Sequence, residues 1–410
     1  MYNYDYLQNW LSEPPKFTVF RINNLMKFDC NELLICLENV SIELNCIQIP
    51  NFYLLKSDCI IIEPWPEVNT HEKTKNKVIV DSLCASAVLR GAHVYAPGVL
   101  GLPTNCQINE RIDIYGDLDG QCKRGLKVDY NGKKIYVGTG YLKMLRYELF
   151  EKGVHGIAVQ TLLPKSRLPV INESLYPKGQ LLLQNLPSIV VGWVVNAMPL
   201  EHILDMCAAP GNKTTHLAEM SNNKVQQTCE KQGVTCVSAF AYDSTKCHSD
   251  DNNNGTNPPF SSNTFDKILL DAPCSGLGQR PQLNFKMSPK MLQSYKFVQR
   301  KLFDAVILKV GGKLVYSTCT VTVDENEGMV LWVLEKYPCL QLIPAQPLYG
   351  GPGLPNVGCE SRDLNLLHSV SQASALLLGY HCLNLNAFFN NIYKYIHSFK
   401  IQYYIIIYII

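Results

Sequence analysis

The sequence predicts an α/β fold, with a doubly wound domain in its second half preceded by an all-β segment and a small α+β segment. Three observations carry that expectation. From about residue 166, short β-rich runs alternate with helical stretches and end in glycines or acidic turns, as strands joined by crossover helices do. Over residues 78–165, short strand patterns are instead punctuated by Gly116, Gly120, Gly125 and the pair Asn131-Gly132, which are turn residues. Finally, two apolar runs in the α/β half end in Asp-Ala-Pro-Cys274 and Ser-Thr-Cys319. In an open sheet the carboxyl ends of the strands line the ligand crevice, so the two thiols are expected to face one pocket.

The elements follow in order. Residues 1–75 mix helix and strand signals, and residues 17–23 alternate as a strand does. Two prolines and a polar run over 64–76 read as a linker. In the all-β segment, residues 78–80, 92–95, 111–115 and 134–138 are strand patterns. The Asn131-Gly132 pair between 128–130 and 133–137 predicts a hairpin. In the α/β half, residues 203–206, 237–240, 267–270 and 313–316 are strand candidates.

The totals narrow the function classes. The chain has 410 residues, 47% of them hydrophobic and 18% charged, enough to fill the cores of two or three domains. Net charge is only +2, so any nucleic-acid footprint must be local. Residues 76–165 carry twelve Lys/Arg against eight Asp/Glu, whereas residues 1–75 carry six against ten. The basic excess therefore sits in the all-β segment. The 16 cysteines include no C-x-x-C pair, which argues against a zinc site and against a redox dithiol. The opening MYNYDYLQNW lacks the basic and apolar regions of a signal peptide, so a reducing compartment, the cytoplasm, is expected. No apolar stretch is long enough for a spanning helix. Neither a membrane nor a metal is expected as a partner.

Two thiols with Asp271 beside one of them are equipment for covalent chemistry on an electron-poor ring. Taken singly, each cysteine also fits a buried structural thiol. A second cluster, Cys207-Ala208-Ala209-Pro210-Gly211-Asn212-Lys213, lies between the strand pattern ending at Met206 and a helical run over 214–220. Small residues and Gly211 permit close backbone approach, and a helix start offers free N–H groups. That suits the polar end of an adenosine cofactor, although an ordinary strand-to-helix turn reads the same way. Lys213 also fits a solvated lysine, and Asp243 a turn residue. Asp205 also fits a strand cap.

These segments carry a resemblance. ILDMCAAPGNKTTH, FDKILLDAPCSGLGQRP and LVYSTCT are similar to the core motifs of the Nop/Sun-type RNA cytosine-5 methyltransferases. PKGQLLLQNLPS and PPKFTVFRIN are similar to segments flanking them, and LCASAVLRGAHVYAPGV resembles a PUA domain, an RNA-binding β-barrel. An inserted PUA domain points to the subfamily that acts on cytosine 72 of tRNA. The resemblance implies a Rossmann-like methyltransferase domain over 166–365, a PUA domain over 76–165 and an amino-terminal α+β subdomain over 1–75. It implies S-adenosylmethionine as cofactor, a tRNA acceptor stem with its CCA end as partner, and a monomer. It assigns attack to Cys319 and product release to Cys274, places Lys213 and Asp271 in the active site, and gives Asp243 the cofactor's adenine. In the PUA piece Arg90, Tyr95, Lys123 and Arg124 are the candidate RNA contacts. Lys123 and Arg124 stand in a Gly-flanked turn where two cations can straddle phosphates, and Tyr95 can stack on an unpaired base.

The chemistry asks for this equipment. Carbon-5 of cytosine is a poor nucleophile. A thiolate added at carbon-6 makes carbon-5 enamine-like, and hydrogen bonding at the ring nitrogen beside the amino group helps the addition. Afterwards the carbon-5 proton must leave and the thiol must be eliminated. Residue chemistry alone does not order the two cysteines.

Two departures from the pattern are expected to show. Glu230 is the one acid near the distance at which a second strand would bind the ribose. Only six residues separate it from Val237, too few for a parallel crossover. The ribose-binding strand is therefore expected to be missing, with residues 224–232 a surface helix. If so, the chain would be an RNA-binding protein with weakened activity. At the other end the match fades near Glu360, the last strand is doubtful, and residues 366–410 are expected to form a poorly ordered tail.

Overall fold

The computed structural model describes residues 9–66, 74–171, 179–221, 236–249, 257–284, 287–306, 308–347, 349 and 404–409. The chain divides into two compact units, neither continuous in sequence. One comprises Met1–Ile22, Lys27–Leu183 and Arg280–Lys286; the other comprises Asn23–Met26, Gln184–Gln279 and Met287–Ile410.

The first unit holds two sheets. Strands β1 (Thr18–Ile22), β2 (Phe52–Lys56) and β3 (Cys59–Ile62) form an antiparallel sheet. Helix α1 (Cys30–Glu43) is capped by the Asp29 side chain, which accepts from Asn31 N at 2.9 Å. Its Leu33 and Leu37, one turn apart, bury with Phe20, Ile22, Ile60, Ile62 and Trp65. The second sheet contains β4 (Lys77–Val80), β5 (Val94–Tyr95), β6 (Val99–Gly101), β7 (Arg111–Asp117), β8 (Lys134–Leu142) and β9 (Ile157–Pro164), in the order β5-β9-β8-β7-β4-β6. It is mixed, because β4 runs parallel to β7. Its inward residues Val78, Val80, Ile112, Ile114, Val137 and Val159 make one core. After it the chain returns to the first sheet, where β10 (Leu181–Leu183) pairs with β1.

Two expectations for this unit need correction. The segment is not all-β: it holds helix α2 (Ser82–Leu89) and the short α3 (Arg146–Leu149). Asp81 caps α2 by accepting from Cys84 N at 2.7 Å, and Ala85, Val88 and Leu89 enter the core. The helix can lie this close because Gly116 has no side chain; a Cβ there would stand 2.4 Å from Ala85 Cβ. Likewise, Asn131-Gly132 does not turn a hairpin. β8 pairs with β7 across the longer loop, and residues 128–130 are not a strand. Tyr130 instead folds inward and donates its hydroxyl to Asp117 Oδ1 at 2.9 Å, a buried bond that the hairpin would forfeit.

The second unit is a doubly wound sheet. Strands β11 (Ile203–Asp205), β12 (Phe265–Asp271) and β13 (Leu308–Ser317) are parallel neighbours. Strand β14 (Leu340–Ile343) lies beyond β15 (Tyr404–Ile409), giving the order β11-β12-β13-β15-β14. Helix α4 (Leu186–Val195) packs on β13 and on α5 (Asn212–Met220). Ile268 and Leu270 of β12 and Leu314 and Tyr316 of β13 pack with Leu302 and Phe303 of α6 (Pro289–Asp304) and Met329 and Val333 of α7 (Glu327–Lys336). The period of two along β12 and β13 sends Leu269 and Val315, also fully buried, to the opposite face.

Here too the structure corrects the sequence. Residues 237–240 form no strand, and β11 is the edge of the sheet among the described residues. In the doubly wound order 3-2-1-4-5-6 the third strand pairs only with the second, and among the described residues there is no such partner for residues 237–240 to join. Glu230 and the helix expected over 224–232 lie outside the described residues. The tail, expected to be poorly ordered, supplies at its end the strand β15, antiparallel to both β13 and β14. Unpaired edges of β13 and β14 are a template for any β-prone segment, and the run YIIIYI supplies one. The last strand is therefore present; residues 366–403 and Ile410 lie outside the described residues.

Candidate active site

Strand register brings the two cysteines together. Asp271 of β12 is level with Ser317 of β13, so the loops leaving both strands start side by side. Cys274 Sγ and Cys319 Sγ stand 3.2 Å apart, and the Cys319 N–H donates to Cys274 Sγ at 3.3 Å. Both thiols are free. The Gln279 amide donates to Cys319 Sγ at 3.3 Å. Cys319 is drawn down to about 7, chiefly by the hydrogen bond from the Cys274 thiol; burial opposes this, while Gln279 and the charge of Lys213 assist it. Cys274 is driven far above the usual thiol range by the proton it shares with Cys319 and by burial. Of the two sulfurs, Cys319 is thus the one pushed toward thiolate and Cys274 the one pushed toward thiol.

The adjoining corner joins the other motif to the thiols. Lys213 on α5 reaches Asp271 Oδ2 at 2.7 Å, and Ser317 Oγ donates to Asp271 Oδ1 at 2.6 Å. Asp205, at the end of β11, accepts from Cys207 N at 3.2 Å and from Thr214 Oγ1 at 2.6 Å. It therefore braces the 207–212 turn from below. Burial raises its carboxyl to about 6 against those two hydrogen bonds. Ala208, Ala209, Pro210 and Asn212 are exposed. Gly211 takes a φ of 108°, with open space where a Cβ would stand, so a ligand could approach the backbone closely at the start of α5. Asp243 heads a short 3₁₀ turn (Ser244–Lys246) tied to this strand end by Ser244 Oγ donating to Met206 O at 2.6 Å. Its exposed carboxylate takes hydrogen bonds from Thr245. An open glycine turn, a helix start and an exposed acid anchored to the same strand end fit the methionine and adenine parts of S-adenosylmethionine. The segment around Glu230, where the ribose-binding strand was expected to be missing, lies outside the described residues.

Beneath the thiols is a buried network that the sequence reading missed. Glu325 is 1% exposed. Its Oε2 accepts from Ser275 N at 2.9 Å and Gln299 Nε2 at 3.0 Å, and its Oε1 accepts from Ser275 Oγ at 2.6 Å and Thr322 Oγ1 at 2.8 Å. Asn326 accepts from Thr318 Oγ1 at 2.6 Å and donates to Thr320 O and Thr322 O at 3.2 and 2.8 Å. Ser275 follows one cysteine, and Thr318 and Thr320 flank the other, so the acid and the amide hold both loops in register. The signal was present in the run Asp-Glu-Asn-Glu (324–327) shortly after the second thiol, and in Gln299, one turn before Leu302 and Phe303 on α6.

The four RNA candidates lie in the first unit, three of them exposed. Tyr95 is 53% exposed, and Lys123 is exposed as well. Arg124 does not stand free beside Lys123. Its guanidinium donates to the carbonyls of Ala96, Pro97, Val99 and Leu149 and lies over Phe150. Arg90 is half-buried and donates to Arg280 O at 3.4 Å. Among the described residues no group of His, Cys, Asp or Glu could hold a metal ion, and no helix is long and apolar enough to cross a membrane.

Comparison with known proteins agrees with this geometry. Residues 193–350 match the 16S rRNA methyltransferase RsmB/F family. The chain is 38% identical to the tRNA (cytosine(72)-C(5))-methyltransferase NSUN6 of Homo sapiens, over 89% of this chain and 82% of that protein. It is 32% identical to the tRNA (cytosine(72)-C(5))-methyltransferase of Pyrococcus horikoshii, over 68% of each. The fold superposes on the crystal structure of NSun6 from Pyrococcus horikoshii with SFG, an analogue of S-adenosylmethionine. The TM-score is 0.63 and the identity 28%, over 85% of this chain and 87% of that one.

Proposed function

Because the chain belongs to the Nop/Sun (RsmB/F) family of S-adenosylmethionine-dependent RNA cytosine-5 methyltransferases, we propose that it methylates carbon-5 of cytosine 72 in a tRNA acceptor stem, through a covalent bond from Cys319. The observation that carries this reading is the thiol pair at 3.2 Å, in which Cys319 is the sulfur held toward thiolate.

When bound, S-adenosylmethionine supplies an electrophilic methyl group on a sulfonium. The residues that would hold it are Cys207 to Lys213, Asp243 and Asp271. The rest is done by the side chains. Cys319 thiolate bonds carbon-6, and the ring's electron pair moves to carbon-5. Asp271 already accepts from Lys213 and Ser317. It is thus set to accept from the cytosine amino group. Once Cys319 is bonded to carbon its negative charge is gone, and Cys274 loses the partner that held its proton. Cys274 can then give its proton to solvent and, as a thiolate, take the carbon-5 proton, and the returning electron pair expels Cys319 as a thiolate. A base within a stem must leave its stack to reach these thiols, and the first unit, with exposed Tyr95 and Lys123, would grip the end of the stem.

Trapping tests the reading. Cys274→Ala, mixed with acceptor-stem tRNA and S-adenosylmethionine, is expected to leave an adduct that survives a denaturing gel. Cys319→Ala and the double variant are expected to leave none. One observation favours a second reading: among the described residues β11 is the sheet edge, where the doubly wound order would place two more strands. RNA retention without any adduct in the presence of cofactor would establish that binding-only reading instead.

A further inference from the structure

Resting on the assignment of Cys319 as the attacking thiol, we infer that Gln279 is a further catalytic residue, whose side-chain amide donates to the Cys319 sulfur and holds it as a directed thiolate. An exposed glutamine is ordinarily just solvated. Here the backbone is built to hold it in place. Gly276 takes a φ of 68°, and the Gln279 N–H closes the turn on Gly276 O at 3.1 Å. Between them the Gly278 N–H donates to Cys319 O at 2.8 Å. A Cβ at Gly278 would stand 3.0 Å from that same oxygen, so the approach depends on glycine. The loop leaving β12 is thereby stapled to the main chain of the nucleophile, and the staple sets the Gln279 amide 3.3 Å from its sulfur.

The electrostatics leave a task for that amide. The groups facing Cys319 are Cys274, Gln279, Lys213 and Asp271. The two full charges oppose each other, since Lys213 is paired with Asp271 at 2.7 Å. That leaves two neutral donors, the Cys274 S–H and the Gln279 N–H. No histidine appears among the groups that move Cys319, so the thiolate has no imidazolium to lean on. The Cys274 proton must also be given up later, when that thiol takes its turn as base. The glutamine cannot ionise and holds the sulfur's direction throughout. A hydrogen bond to a charged acceptor is roughly twice as strong as a neutral one, so the bond favours the thiolate over the thiol.

The test reads the sulfur without RNA or cofactor. The full chain is alkylated with iodoacetamide across pH, and the extent at Cys319 is followed by peptide mass spectrometry. The wild-type midpoint should lie near 7. Gln279→Leu is expected to raise it by about one unit, or about tenfold less thiolate on the acid side. Gln279→Glu, similar in size but acceptor-only and negative, is expected to raise it further. The side chain is exposed, so both variants should keep the wild-type melting temperature. A midpoint that stays put in Gln279→Leu, or a shift at Cys274 with none at Cys319, overturns the inference, whatever happens to stability. Absence of methyl transfer by the wild type would overturn the proposed function, and the alkylation midpoint would still decide the role of Gln279.

Discussion

Glu325 shows what a single residue contributes to this site. Its carboxylate takes four hydrogen bonds from Ser275, Gln299 and Thr322 with almost no access to water. Removing it strands those donors, each of which costs about 1–3 kcal/mol when left without an acceptor. Glu325→Ala is therefore expected to lose about 3–5 kcal/mol of stability in urea unfolding. Glu325→Gln should lose less, but still measurably, because its NH₂ faces donors. Asp205 gives a pH signature. Its folded value, about 6, lies above the ordinary value near 3.8, so the folded chain holds that proton more tightly. The stability this contributes is fully present below about pH 4 and is lost as pH rises through 6. Relative to wild type, Asp205→Asn should thus gain stability between pH 4 and pH 7, read from urea unfolding at a series of pH values. That the two cysteines and Asp271 lie close together was expected from the sequence because they sat at the ends of apolar runs, whereas Lys213 was placed beside them by the resemblance alone. Glu325 and Gln299 were not legible, because a buried acid and a solvated one look alike until the fold shows what surrounds them. The bonds of Arg124 to four carbonyls were hidden for the same reason: a cation in a turn reads as solvated until the fold shows what it touches.

At the level of elements, the strands whose neighbours are other strands were readable. β7, β8, β12 and β13 all fall where short apolar patterns predict them. What failed was decided by partners. Residues 82–89 have no alternation to mark them as strand or helix, and only a cap at Asp81 and the gap over Gly116 make them α2. The Asn131-Gly132 turn lost to a buried Tyr130 bond. Strand β15 is the reverse case, a segment dismissed as tail that fills the slot between β13 and β14. Deleting residues 404–410 should leave two long unpaired edges. The expected result is a lower melting temperature together with concentration-dependent light scattering; unchanged melting would show that the slot is filled by something else.

For the whole molecule, the division of labour between the two units can be measured. Tyr95→Ala should weaken binding to acceptor-stem RNA by about 1–3 kcal/mol with an unchanged salt slope, if the ring stacks on a base. Lys123→Ala should lower the salt slope by about one ion, as a lost phosphate contact does. Arg124→Ala should lower the melting temperature, since its guanidinium joins Ala96, Pro97, Val99 and Leu149. None of the three should move the alkylation midpoint of Cys319. The threading of the chain has one more consequence, for the order in which the protein can be finished. The first unit takes in Arg280–Lys286, where Gln282 N bonds Leu11 O and Asn284 reaches Leu118 O. β14 ends at Ile343, yet the strand that ties it to its sheet begins at Tyr404. During translation, then, the first unit cannot be completed before the ribosome has passed Lys286, and the sheet of the second not before it has passed Ile409. Each waits as an open, apolar-edged intermediate that a nascent-chain chaperone would have to shield.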